Sequence, residues 1–239
     1  MTVPRIKVVT NADQLAEEAA KIVAEAADRA IRDKDVFSLV LSGGSTPRLL
    51  YSRLMREPYL MRLSWPKVQI YFGDERCVPP AHPDSNYRLA DENLLSLVPI
   101  PHPNIHRIRG EIDPETAATE YGQLIKARFG DTGPDLILLG MGEDGHTASL
   151  FPQTAALIET KHRCVANYVP KLKAWRITLT APFINRAFQV LILVSGSAKS
   201  KVIHEVLEGP RDPMRLPVQL IDPQGQLIWL LDAEAAGMI

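Results

Sequence analysis

Short apolar runs alternate with longer amphipathic ones along this chain, and that alternation limits the folds open to it. Ile6–Val9, Ser38–Leu41, Val68–Phe72, Leu136–Leu139, Val165–Tyr168, Ile177–Leu179, Val190–Val194 and Leu227–Leu231 read as strands. Several are apolar at every position, the pattern of a strand covered on both faces. Helical patterns lie between them. Asn11 is placed to cap a helix, with Gln14 as its capping-box partner. Leu15, Ala19, Ile22, Val23, Ala26 and Ala30 then fall on one helical stripe. Asp113-Pro114 opens a helix over Glu115–Phe129. Ser85 or Asn86 caps one through Leu97, and Ser197 caps one through Leu207, closed by Gly209-Pro210. Strands alternating with helices predict an α/β fold with a mostly parallel sheet. Proline-rich stretches at Pro79–Pro83, Pro99–Pro103 and Gly209–Pro217 read as surface loops, not linkers, so residues 1–239 are expected to form one domain.

The chain has 239 residues, 46% of them hydrophobic. A chain of this length buries roughly 70–75% of its unfolded surface, so core size is not limiting. Its 27 basic and 28 acidic side chains leave a net charge of −1. That balance, with no helix-turn-helix segment or basic arm, argues against a nucleic-acid partner. Two cysteines, Cys77 and Cys164, exclude a disulfide scaffold and read as reduced thiols. Met1–Val9 has no apolar leader core, and the apolar runs are too short to span a bilayer. A cytoplasmic protein with no membrane partner is expected.

Ligands of open α/β sheets bind beyond the carboxyl ends of the strands. Four predicted strand ends carry glycine with polar or charged groups. They are Ser42-Gly-Gly-Ser-Thr-Pro47, Gly73-Asp-Glu-Arg76, Gly140-Met-Gly-Glu-Asp-Gly-His146 and Ser195-Gly-Ser-Ala-Lys199. The first leads into a helix from Pro47 to about Arg56. Gly43 and Gly44 let backbone approach a ligand, and Ser45, Thr46 and the helix-start N–H groups offer donors to an anion. The spacing and lysine of a Walker A loop are absent. A glycine-rich turn with a Ser/Thr cap fits these residues equally well.

Gly140–Gly145 matches G-x-G-x-x-G after a strand, and Glu159 lies near the offset of a ribose-binding acid. The dinucleotide reading still fails, because Glu143 and Asp144 would oppose a pyrophosphate and Pro152 stops a following helix too soon. His146, beside Asp144, is a candidate general base. A histidine merely satisfied in a turn is the bland alternative. Cys77 beside Arg76 could pair with His146 as a thiolate, although buried cysteines are usually inert. His102 and His106 have metal-like spacing, but Pro101 and Pro103 argue against the aligning helix, and no metal site is expected. Asp74, Glu75 and Arg76 read alone as a solvated cluster, and Arg176 and Lys199 as surface cations, yet all lie at predicted strand ends.

Three segments carry a family likeness: Leu41-Ser-Gly-Gly-Ser-Thr-Pro47, Gly73–Pro79 with Ser85-Asn-Tyr87, and Asp135–Pro152 ending His-Thr-Ala-Ser-Leu-Phe-Pro. With Arg176–Thr180 and Gly196–Lys199 they resemble, in order, the glucosamine-6-phosphate isomerase/6-phosphogluconolactonase family. The resemblance implies a modified Rossmann-like three-layer sandwich, as in glucosamine-6-phosphate deaminase. It implies hydrolysis of 6-phosphogluconolactone in the oxidative pentose phosphate pathway, with no metal or organic cofactor. In the deaminase branch an acid five residues after the histidine helps open the sugar ring. Here that position is Phe151, which favours the lactonase branch. Gln153 and Val218 replace a frequent glycine and a frequent alanine of the lactonase pattern.

On this resemblance the partner is a phosphosugar lactone. Its phosphate falls to Gly43, Gly44, Ser45 and Thr46, with Arg176 and Lys199 as cationic clamps. His146 takes a proton from the attacking water and Asp144 orients it. Arg76 either stabilises the oxyanion or binds hydroxyls, and Asp74 either contacts substrate or fixes Arg76. A deaminase or other phosphosugar isomerase, and a non-catalytic phosphosugar-binding module, are the competing readings. A monomer is expected.

Overall fold

The computed structural model describes residues 4–239. Met1–Val3, part of the stretch read for a leader, lie outside the described residues. The chain begins with β1 (Arg5–Val9), α1 (Ala12–Lys34), β2 (Phe37–Leu41), α2 (Ser45–Leu54) and α3 (Tyr59–Arg62). It continues through β3 (Val68–Phe72), β4 (Asp74–Arg76), α4 (Asn86–Ala90), α5 (Pro114–Phe129) and β5 (Leu136–Gly140). β6 (Cys164–Val169), β7 (Ala174–Leu179), α6 (Ala181–Ile184), β8 (Gln189–Val194), α7 (Ser200–Leu207) and β9 (Gln226–Asp232) complete it.

Six strands form one sheet in the order β1-β9-β8-β5-β2-β3, and all five pairings are parallel. Every residue of β2 and β8 is buried, the apolar majority as expected of strands covered on both faces and Ser38 and Gln189 with them. The other three strands form a separate antiparallel sheet, β4-β7-β6. The predicted α/β class holds, but the strands at 165–168 and 177–179 belong to this second sheet. α1 packs against β1, β2, β8 and β9, while α5 packs on β6 and β7. The predicted stripe on α1 is buried at all six positions.

Most expected caps form. Asn11 accepts from Gln14 N at 2.9 Å, and Gln14 reaches back to Thr10 N rather than to its own cap. Asp113 caps α5 through Thr116 N at 2.9 Å. Ser85 caps α4, which runs on as a wider π-helical turn over Asp91–Leu95. Ser197 does not cap: it opens a 3-10 turn, and α7 starts at Ser200. α2 starts two residues earlier than expected, at Ser45. Gln153, which replaces a frequent glycine, holds φ at 58°, in the left-handed region that favours glycine.

The strand order fixes where a ligand can enter. β2 and β5 are neighbours, but the chain leaves β2 toward β3 and leaves β5 toward β8. This reversal makes the topological switch point of the sheet. Their ladder is short, with only Leu39↔Leu136 and Val40↔Ile137 in register. At the opposite end Asp135 closes the pair, accepting from Ser38 N at 2.8 Å and Ser38 Oγ at 2.7 Å. Lys34 balances that half-sealed carboxylate at 2.9 Å.

Candidate active site

A cavity of about 280 Å³ opens at this switch point. Its walls come from the segments after β2, β3, β5 and β8, the four strand ends singled out in the sequence. Gly43, Gly44, Ser45, Thr46, Asp74, Arg76, His146 and Lys199 line it. Asp144 stands behind His146, and Arg176 stands opposite Arg76 across the β4–β7 ladder. Neither is part of the cavity wall.

The Gly43–Thr46 loop is built around bare backbone. Gly44 has φ of 105°, and the first turn of α2 has no side-chain cap. Ser45 and Thr46 are therefore not consumed as caps, and the helix-start N–H groups stay available to an anion. Gly43 is needed for a different reason. A Cβ there would sit 1.9 Å from Asn86 Oδ1. Buried Asn86 uses its Nδ2 on Asp74 O at 2.9 Å and Asp74 Oδ1 at 3.1 Å. Ser149 Oγ donates to the other Asp74 oxygen at 2.6 Å. Asp74 is thus a buried, fixed carboxylate on the cavity wall.

Glu75 is a structural hub, contrary to the solvated cluster its neighbours suggested. It is buried and accepts from Asn86 N at 2.7 Å and Tyr87 N at 2.8 Å. Burial raises its pKa, and these N–H donors oppose the rise. It therefore ties β4 to the first turn of α4. Arg76 donates to Asp84 O. Arg176 is held low by burial first and then by the like charge of Arg76.

The β5 loop holds the pair at the centre. His146 Nδ1 lies 2.5 Å from Asp144 Oδ1. That bond, reinforced by Lys171, holds the Asp144 carboxyl well below the usual carboxylate range. An ionised carboxylate at Nδ1 fixes the ring tautomer, leaving Nε2 as the free acceptor. Phe151 stacks on the imidazole at 4.1 Å between centroids, with 18° between planes. The residue that on the resemblance separates the two family branches therefore packs directly on the imidazole of His146. A Cβ on Gly142 would meet His146 Nδ1 at 2.1 Å, so this glycine makes room for the folded-back ring. Gly145 holds φ of 74°. Glycines that mimic a dinucleotide fingerprint serve a tight turn, and Thr147–Pro152 forms no helix after it.

The cysteine alternative finds no support in the site, because Cys77 is not among the residues that line the cavity with His146. Burial pushes the Cys77 thiol up, away from thiolate character. His106 is buried with Nε2 on Gln69 Oε1 at 2.9 Å, and His102 sits in a separate short turn.

The sequence reading missed the residues that hold the loops. Tyr51 OH donates to Ser42 O at 2.6 Å and accepts from Ser42 N at 3.1 Å. Tyr121 OH does the same at the end of β3, on Phe72 N at 2.8 Å and Phe72 O at 3.1 Å. Asp232 takes Ser195 Oγ at 2.5 Å and Gly196 N at 3.1 Å, fixing the Lys199 loop. Asp232 at the end of an apolar run was an available signal, whereas Tyr51 and Tyr121 sit in helices of mixed polarity that offered none.

Fold and site together define a class: an α/β enzyme with an anion-ready helix start facing a carboxylate-held histidine across one small cavity. Residues 10–229 match the family described as glucosamine-6-phosphate isomerases/6-phosphogluconolactonase. The chain belongs to this family. It is 41% identical to a 6-phosphogluconolactonase of Synechocystis, covering 97% of each chain. It is 37% identical to a probable 6-phosphogluconolactonase of Arabidopsis thaliana, covering 98% of this chain and 93% of the relative. The solved 6-phosphogluconolactonase of Trypanosoma brucei superposes with a TM-score of 0.88 at 29% identity, covering 99% of each chain. A monomeric glucosamine-6-phosphate deaminase superposes at 0.84 with 23% identity, which shows the shared fold alone. Among the described residues no helix is long and apolar enough to cross a membrane.

Proposed function

We propose that this chain hydrolyses 6-phospho-D-glucono-1,5-lactone to 6-phosphogluconate, with His146 as general base. The observation that carries the reading is the Asp144–His146 pair on the wall of the switch-point cavity. The names of the relatives support the reaction. The phosphate dianion goes to the uncapped start of α2, between Ser45, Thr46 and Lys199. Arg176 contributes charge from behind Arg76 rather than a direct clamp.

With the phosphate fixed, the lactone carbonyl lies toward His146. Nε2 takes a proton from water as that water attacks C1. The same proton can return to the ring oxygen as the C1–O bond breaks. Arg76 faces the developing oxyanion or the substrate hydroxyls, and Asp74 accepts from a substrate hydroxyl. A δ-lactone hydrolyses slowly unaided, so the barrier is modest. A positioned base supplies roughly 100- to 10,000-fold, and orientation adds to it. The deaminase reading lacks its ring-opening acid, because Phe151 stands in that place.

The test is turnover of freshly made lactone, with product coupled to 6-phosphogluconate dehydrogenase and spontaneous hydrolysis subtracted. Rapid turnover lost in His146→Ala supports both reaction and base. Turnover retained in that variant removes His146 as the base. No turnover by folded wild type removes the reaction and turns attention to ammonia release from glucosamine 6-phosphate.

A further inference from the structure

The antiparallel β6–β7 hairpin bears on the site from outside the parallel sheet. Its turn, Pro170–Lys173, brings Lys171 to Asp144, with Nζ 3.0 Å from Oδ2. The other Asp144 oxygen is the one that meets His146 Nδ1. Three side chains therefore form a line, Lys171–Asp144–His146, with Lys171 and Asp144 27 positions apart in sequence. The hairpin is built to hold that turn in place. Tyr168 and Trp175 sit opposite each other in register just below it, with rings edge-on at 5.5 Å. Lys173 closes the turn at φ of 49°.

We propose that Lys171 is a positioning residue that sets the working pH of His146. This rests on the reading of His146 as the base. Two effects act together. By engaging Oδ2, Lys171 holds the carboxylate with Oδ1 toward the ring. Its positive charge also offsets part of the Asp144 field, which would otherwise favour the protonated, inactive imidazolium. Other charges face the ring as well. Asp74, Arg76 and Lys199 share its cavity, and Glu143 lies 3.8 Å from Lys199. Phe151 covers one face with a neutral ring. Among the described residues Lys171 is the cation that contacts Asp144 directly. Its side chain is largely exposed, so the effect is moderate and salt-dependent.

The test reads the same proton in two ways, in wild type, Lys171→Gln, Lys171→Arg and Lys171→Glu. The first is the NMR titration of the His146 Cε1–H in free enzyme, assigned with His146→Ala. The second is kcat/KM against pH, taken as the ratio of variant to wild type. Ionisation of the substrate phosphate is common to all variants and cancels in that ratio. In Lys171→Gln the His146 titration moves up by about half a pH unit, and kcat/KM below the limb falls about threefold. Lys171→Arg stays near wild type and Lys171→Glu moves further up. Raising ionic strength from about 0.05 to about 0.5 M shifts wild type toward Lys171→Gln and moves Lys171→Gln itself less. An unmoved His146 titration in Lys171→Gln and Lys171→Glu overturns the proposal. A moved titration with a flat rate ratio instead removes His146 as the base, which separates this failure from the other.

Discussion

Two histidines in this chain lie flat on an aromatic ring, and they have opposite fates. His146 stacks on Phe151 at 4.1 Å, and His106 stacks on Tyr71 at 4.7 Å. The rings differ in what their nitrogens meet. His146 Nδ1 faces a carboxylate and the ring borders an open cavity. His106 Nε2 faces the neutral amide of Gln69, and the ring is buried. Burial, then the charge of Arg128, pushes His106 down to about 4. Stacking alone makes neither residue functional. A partner that supports positive charge, plus access to a ligand, turns a packed imidazole into a candidate base.

The largest effect expected from breaking this contrast is at His146. Replacement by alanine lowers kcat/KM by roughly 100- to 10,000-fold in the coupled assay. The melting temperature changes little, because the ring borders the cavity rather than the core. A fall of less than tenfold, or a general unfolding, contradicts this contrast between the two histidines. Gly142→Ala comes next. Its new Cβ would lie 2.1 Å from the imidazole, so the ring must swing out. A misplacement of about 1 Å costs on the order of 100-fold in rate. The expected signature is a fall in kcat with the fold retained. Unchanged turnover in Gly142→Ala means the ring position is not critical. Phe151→Leu sharpens the point more gently. It removes the stacked face but keeps an apolar wall, and a two- to tenfold loss of kcat/KM is expected at about 0.5–1.5 kcal/mol for such a contact.

The same pair shows what the sequence could and could not tell. The glycine turn, the adjacent Asp144 and the position of Phe151 were all visible in one short segment, so His146 stood out. The central parallel strands were nearly as plain, since a strand buried on both faces is mostly apolar. The second sheet was not recognised from the strand pattern, although one cue was present. The strands expected at Val165–Tyr168 and Ile177–Leu179 leave only residues 169–176 between them, too few for the crossover that parallel neighbours need. Lys171 could not be found at all, because its contact to Asp144 exists only after that hairpin folds. Asn86 and Glu75 were hidden for a similar reason. One clamps Asp74 and the other receives helix-start N–H groups, and both relations are tertiary. Local patterns revealed most of the groups that line the candidate site, whereas the groups that hold them depend on long-range closure.

The smallest effect concerns the buried histidine, and it appears in stability rather than rate. The folded protein keeps His106 neutral down to about pH 4, while the unfolded chain protonates it near 6.5. Between those values the unfolded state binds more protons, so stability falls as pH falls. The contribution is fully present above about 6.5 and is lost as pH drops through about 4, with a ceiling on the order of 1–3 kcal/mol. His106→Gln cannot take up the proton. Its urea-denaturation stability therefore declines less than that of wild type between pH 6.5 and 4. Gln69→Glu tests the same link from the other side, by giving His106 the kind of partner that His146 has. The carboxylate favours the imidazolium, so the decline between pH 6.5 and 4 flattens. Parallel pH slopes for wild type, His106→Gln and Gln69→Glu would show that the nitrogen's partner does not govern this histidine. In that case the difference between the two stacked rings rests on access to the cavity alone.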